Sequence, residues 1–163
     1  MASLITSATS EFASALPNGG KLLGLDVGTK TIGIAICDAG WHFAGPSETI
    51  RRTKFTQDLA SLRRIIDHEH ALGLVVGLPL NMDGSEGPAS RGARKFAERL
   101  AEGLGVTVEM FDERLTSFEA RERLANMPAR KGMRKTGLDA LAAVVILEGW
   151  MHAHPEKIPR AGC

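Results

Sequence analysis

Tyrosine is absent from this chain of 163 residues, and the other aromatics amount to six Phe and two Trp. A surface that binds single strands by stacking base after base on aromatic rings needs more of them, so extensive stacking is not indicated. Cysteine is nearly absent as well. With only Cys37 and Cys163, no disulfide framework is expected, the reducing cytoplasm is the natural compartment, and Cys37 is expected to pack as a small apolar residue at a strand end. No window approaches the ~18 uninterrupted apolar residues of a membrane span. The first residues lack a basic start followed by an apolar stretch, so no secretory signal is expected. Charge of one sign is missing too: 20 Lys and Arg against 19 Asp and Glu leave a net charge of +1. Any polyanion must therefore be held by local patches and not by a global field.

What is present suits one domain. At 44% hydrophobic, the chain can bury a single good core but not two large lobes. Residues 1–20, rich in Ser, Ala and Thr and ending in Pro17-Asn18-Gly19-Gly20, are expected to be a disordered leader, with the folded domain over 21–154 and a tail over 155–163. Short aliphatic runs predict a meander of strands over 21–26, 32–37 and 41–47. Apolar residues recurring at three and four predict an amphipathic helix from Phe55 to His70. A buried strand over 72–78, a helix opened by Pro88 and running to about Gly103, and a strand over 106–112 follow. Thr116-Ser117-Phe118-Glu119 and Thr136-Gly137-Leu138-Asp139 each set a hydroxyl three residues before a carboxylate, the pattern of a capping box. The last helix, from Leu138 to about His152, is apolar nearly all round and should be buried. This order predicts an α/β fold, a mixed five-stranded sheet flanked by helices.

The segment Leu25-Asp26-Val27-Gly28-Thr29-Lys30-Thr31-Ile32-Gly33 carries the most chemistry. Asp26 closes an apolar strand, where a carboxylate requires a cation, a donor or water. The turn behind it offers backbone N–H groups, hydroxyls and an ammonium suited to phosphate oxygens, chiefly at Thr29 and Lys30. Asp112-Glu113 and Asp139 likewise place acids at the ends of apolar elements. Three carboxylates could hold two hard cations, Mg2+ or Mn2+, as phosphodiester hydrolysis requires. Each acid also has a plainer explanation: a turn for Asp26, a helix cap for Asp139, pairing with Arg114 for Asp112 and Glu113. Strand alternation puts Asp112 with Val108 and Met110 and leaves Glu113 just beyond the strand, which does not decide between them. Arg130, Lys131, Arg134 and Lys135 form a basic loop before the last helix, able to grip a nucleic-acid backbone beside the acids, while Arg91, Arg94, Lys95 and Arg99 fit a solvent face. The pairs His68/His70 and His152/His154 are spaced by two and chelate poorly on a helix, so they are taken as surface residues.

Together with Val76-Gly77-Leu78-Pro79-Leu80-Asn81-Met82-Asp83-Gly84 and Asp112-Glu113-Arg114-Leu115-Thr116-Ser117, the Asp26 segment resembles the YqgF (RuvX) family from about Lys21 to Trp150. The resemblance implies a ribonuclease H-like fold related to the RuvC Holliday junction resolvases, and a nuclease acting at the 5′ end of pre-16S ribosomal RNA. It implies a metal site formed by Asp26, an acid of the Asp112-Glu113 pair, Glu113 being favoured, and Asp139. Thr29, Lys30, Arg114 and the basic loop would then hold phosphate. The resolvases carry a catalytic Glu on the strand that here runs through Gly77, so the site must be rebuilt from the next strand. Other readings are a junction resolvase acting on branched DNA and a non-catalytic RNA-binding factor. The Asp-x-Gly-Thr turn also resembles that of the actin-like ATPases, but a second lobe and a second such turn are lacking. The expected partner is nucleic acid, with no membrane, for a cytoplasmic monomer or homodimer.

Overall fold

The computed structural model describes residues 5–6, 19–116, 122 and 135–153. Their core is a sheet that divides the domain into two unequal layers. In chain order the strands are β1 (Ile5–Thr6), β2 (Leu22–Val27), β3 (Thr31–Cys37), β4 (Ala44–Arg51), β5 (Gly73–Leu78) and β6 (Thr107–Asp112), and the helices are α1 (Phe55–Glu69), α2 (Pro88–Leu104) and α3 (Lys135–His152). The sheet order is β1-β6-β5-β2-β3-β4. β2, β3 and β4 form an antiparallel meander, and β5 and β6 join β2 in parallel. The five expected strands are therefore present in one mixed sheet. Ile5–Thr6, within the segment expected to be a leader, pairs parallel with β6 and adds a two-residue edge strand. The basic residues Arg130, Lys131 and Arg134, the helix expected after Ser117 apart from helical Glu122, and the C-terminal tail lie outside the described residues.

Alternation along the strands assigns the two faces. Leu23, Leu25, Ile32, Ile34, Leu74, Val76, Val108 and Met110 pack against α1 and α2. Leu22, Ala35, Cys37, Val75 and Phe111 pack against α3. Among the described residues the helix on this face is α3, which crosses β2, β3 and β4. Burial pushes the Cys37 thiol up to about 12, so it is an inert packing group. Trp150, fully buried on α3, donates its indole N–H to the buried carboxylate of Glu109.

Two boundaries depart from the sequence expectation. Residues 41–43 form a turn: the Asp38 carboxylate accepts the N–H groups of Gly40, His42 and Phe43 at 3.2, 2.7 and 2.7 Å, an Asp-built turn that competes with strand pairing. Trp41, at φ 59°, turns inward, donates to the Gly20 carbonyl at 2.9 Å and meets Trp150 edge to face. β4 accordingly starts at Ala44 and runs on to Arg51. At the other end of the chain, α3 is helical from Lys135, three residues before the start expected at Leu138.

Trp150→Phe keeps the ring but removes the donor that faces Glu109. Leaving a buried carboxylate short of a donor costs ~1–3 kcal/mol, and urea denaturation of the purified variant should show a loss in that range with an unchanged slope.

Candidate active site

The site is assembled where β2 ends. Asp26 points to the α3 face, because it has the parity of Leu22 and Gly24, both of which meet α3. Behind it the chain reverses sharply, with the Gly28 N–H donating to the Thr31 carbonyl at 2.9 Å. Thr29 and Lys30 project from this turn into solvent.

Both strands beside Asp26 present a glycine. In β3 its register partner is Gly33. In β5, the register that pairs Leu25 with Val76 sets Asp26 next to Gly77. Neither glycine is replaceable without movement. A Cβ on Gly33 would stand 1.9 Å from the carbonyl oxygen of Asp139, so α3 lies with its backbone directly on the sheet there. That approach brings the Asp139 carboxylate down to Thr31, whose hydroxyl donates to it at 2.8 Å. On the other side, a Cβ on Gly77 would stand 2.8 Å from Oε1 of Glu113. Glu113, on the 3-10 turn Glu113–Leu115 after β6, thus folds its carboxylate back over β5. Two glycines make room on either side of Asp26: the α3 backbone at Asp139 fills the space over Gly33, and Ile146 with the Glu113 carboxylate fills that over Gly77.

Asp112 is placed differently. It shares the α1/α2 face of Val108 and Met110, and its carboxylate is taken up by Arg114, which donates its backbone N–H at 2.9 Å, Nε at 3.0 Å and Nη2 at 2.7 Å. The Arg114 hydrogen bonds hold the Asp112 carboxyl below the usual range. Arg114 also donates to the Met82 carbonyl at 3.2 Å, tying the end of β6 to the loop that follows β5. A cleft of about 300 Å3 runs alongside, lined in part by Leu80, Met82, Glu113, Val145 and Ile146.

The electrostatics of Asp26 are the reverse. Burial, and then the nearby Asp139 carboxylate, raise its pKa. Both effects disfavour the anion, and a cation bound there would relieve both. The oxygen donors of Asp26, Asp139 and Glu113 suit a hard divalent ion such as Mg2+ or Mn2+. Among the described residues no three His, Cys, Asp or Glu side chains converge closely enough to hold a metal, so the arrangement is an interacting Asp26–Asp139 pair with Glu113 one strand away. His68, His70 and His152 are exposed.

Sequence reasoning missed Arg52. Its Nη1 donates to the Gly28 carbonyl at 2.6 Å, its guanidinium lies 4.7 Å from the Phe96 ring centre, and its N–H donates to the Lys30 carbonyl at 2.8 Å. Arg52 fixes the turn behind Asp26. Extending β4 past residue 47 to pair with Thr31 is the one signal that would have revealed it.

A family model for RuvX, described as Holliday junction resolvase, matches residues 20–153. The chain belongs to the RuvX family. It is 47% identical over 150 residues to the protein named "Putative pre-16S rRNA nuclease" of Sphingopyxis alaskensis, covering 92% of this chain and 98% of that one. The relative of the same name in Novosphingobium aromaticivorans is 46% identical over 150 residues, covering 92% and 96%. Among solved structures, Thermus thermophilus RuvC superposes with a TM-score of 0.52 at 15% identity, covering 85% of this chain and 99% of that one, and RuvC in complex with a Holliday junction substrate with a TM-score of 0.51 at 13% identity, covering 86% and 99%. This likeness establishes the ribonuclease H-like fold of the RuvX chain.

The raised pKa of Asp26 sets a pH dependence in chelator. At low pH the carboxyl is neutral in both folded and unfolded chains and no penalty exists. As pH rises through the ordinary carboxylate value of ~3.9 the unfolded chain ionises first, and the fold loses stability until Asp26 ionises in turn. Asp26→Asn removes this loss. Its melting temperature relative to wild type should rise from near equality at about pH 4 to a positive difference at about pH 7.5, and a flat difference across that range would reject the assignment. Gly33→Ala forces the α3 backbone off the sheet and should cost ~1–3 kcal/mol, read in the same melting series.

Proposed function

We propose that this RuvX chain is a metal-dependent nuclease that hydrolyses phosphodiester bonds at the 5′ end of precursor 16S ribosomal RNA in the cytoplasm. The observation that carries the proposal is Asp26 set between Gly33 and Gly77 with Asp139 and Glu113 lying over them. Asp26, Asp139 and Glu113 would hold Mg2+ or Mn2+, two ions where the substrate is bound. Bound there, such ions supply a water of lowered pKa and neutralise charge on phosphoryl oxygens. The placement of Asp112 supports Glu113 as the third ligand, because Asp112 faces the other layer and already has a cation in Arg114. Thr29 and Lys30 would meet the substrate phosphate from the turn, with Arg130, Lys131, Arg134 and Lys135 gripping the backbone further along. Arg114 would act by ordering the loop at Met82 and by lending charge at the rim. The choice of RNA rests on the names of the relatives; the description of the family model supplies the other reading, a branched DNA junction.

Labelled pre-16S RNA and a four-way DNA junction, incubated side by side in Mn2+ and in chelator, test the proposal. The wild type should cleave the RNA only with metal. Asp26→Asn and Glu113→Gln should each lose ~100-fold or more in rate, since several kcal/mol of charge stabilisation depend on the ions. Asp112→Asn should stay within about tenfold. Cleavage of the junction alone would move the substrate to DNA, and undiminished cleavage by Asp26→Asn would reject the mechanism.

A further inference from the structure

Beside the carboxylates, on the outer strand of the meander, stands an arginine that nothing in the described structure employs. Arg51 ends β4 and is the register partner of Thr31. Residues directly opposite one another in an antiparallel pair project to the same face, and Thr31 uses that face to hold Asp139. Arg51 is therefore on the side of the sheet where Asp26 and Asp139 lie, yet it is exposed. No hydrogen bond, ion pair or ring contact joins its side chain to a described residue. The other described arginines are all committed: Arg52 to Gly28 and Phe96, Arg63 to the Gly103 carbonyl, Arg64 to Glu48, Arg94 to Glu86, Arg99 to the Phe55 ring and Arg114 to Asp112, with Arg91 on the Glu86 carbonyl.

The backbone beneath Arg51 is held in place. Arg52, its chain neighbour, is bonded through its N–H to Lys30 and through its guanidinium to Gly28, so Lys30 and Arg51 are carried on one stapled unit. Two exposed cations, Lys30 and Arg51, thus edge the rim next to an acidic pair. A phosphate chain approaching those acids is repelled by them, and cations at fixed positions alongside offset that repulsion without first having to be ordered.

We infer that Lys30 and Arg51 form a backbone track for a single-stranded RNA, with Arg51 as the residue that clamps a phosphate next to the scissile one, so that the strand passes over the open ends of β3 and β4. This rests on the nuclease reading and assigns the direction in which substrate leaves the site. Arginine suits the role because its planar donors can take two oxygens of one phosphate.

The test is binding of a fluorescein-labelled single-stranded RNA of mixed sequence to the full chain, by anisotropy in chelator at several salt concentrations, alongside cleavage in Mn2+. For a single strand, each lost phosphate contact reduces the slope of log affinity against log salt by ~0.7. Arg51→Gln should show that reduction with an unchanged melting temperature, and Arg51→Lys should recover most of the slope. Arg63→Gln, which removes equal charge from α1, should leave the slope unchanged. A wild-type slope in Arg51→Gln, or an equal reduction in Arg63→Gln, would overturn the track. A reduced slope in a chain that cleaves nothing in Mn2+ would uphold the track and reject the nuclease reading; cleavage with an unchanged slope would do the opposite.

Discussion

The contact of the α3 backbone with Gly33 is the constraint on which the rest of the site depends. A helix normally rests on a sheet at a distance set by the side chains between them. Here the sheet offers glycine at Gly33, and at Gly24, where a Cβ would meet the Ala143 carbonyl at 3.0 Å. The helix therefore descends until its own backbone touches the strands. That descent does two things at once: it closes the smaller layer of the core around Trp150, Leu147 and Phe111, and it delivers Asp139 to Thr31 and into the field of Asp26. A larger residue at Gly33 would disturb stability and site together, because one contact serves both.

The acids of this corner separate by environment. Asp112 has a cation of its own in Arg114, and its carboxyl is held below the usual range. Asp26 has burial and a second carboxylate instead, and its carboxyl is raised. The first environment is satisfied by the fold; the second is a charge arrangement that the fold leaves for something else to complete. Strained electrostatics of this kind concentrate at functional sites, and here they coincide with the family's sequence motif. Glu113 lies over β5 because that strand carries Gly77, where a Cβ would collide with both Ile146 and the Glu113 carboxylate.

Around these acids, rigidity comes from small polar devices more than from the core. Arg52 pins the Gly28–Lys30 turn, and Arg114 pins the loop after β5 at Met82. Both guanidiniums hold backbone carbonyls, which fixes loop geometry while leaving the neighbouring side chains, Lys30 and Arg51, facing solvent. Positioned cations on stiff loops beside buried acids are what a polyanionic substrate and its metal ions would require together.

Periodicity and local chemistry by themselves determined most elements. β2, β3, β5, β6, α1 and α2 fall within a residue or two of where alternation, three-and-four spacing and Pro88 put them, because those patterns record which face of each element is buried. The burial of the last helix was legible for the same reason, as was the end of an apolar strand at Asp26. Three features belong to the tertiary structure alone. The start of β4 moved because Asp38 gathers three N–H groups and Trp41 turns inward to Trp150, a partner 109 residues away in the chain. The choice between Asp112 and Glu113 could not be read from alternation, since Glu113 has left the strand and its direction is set by a 3-10 turn and by the space above Gly77. Asp139, explicable from sequence as a cap, proved to be bonded to Thr31 because α3 begins earlier and sits lower than its own residues require. Local sequence specifies which side of an element is apolar; how closely two elements approach depends on residues of both, and the site exists only at that distance.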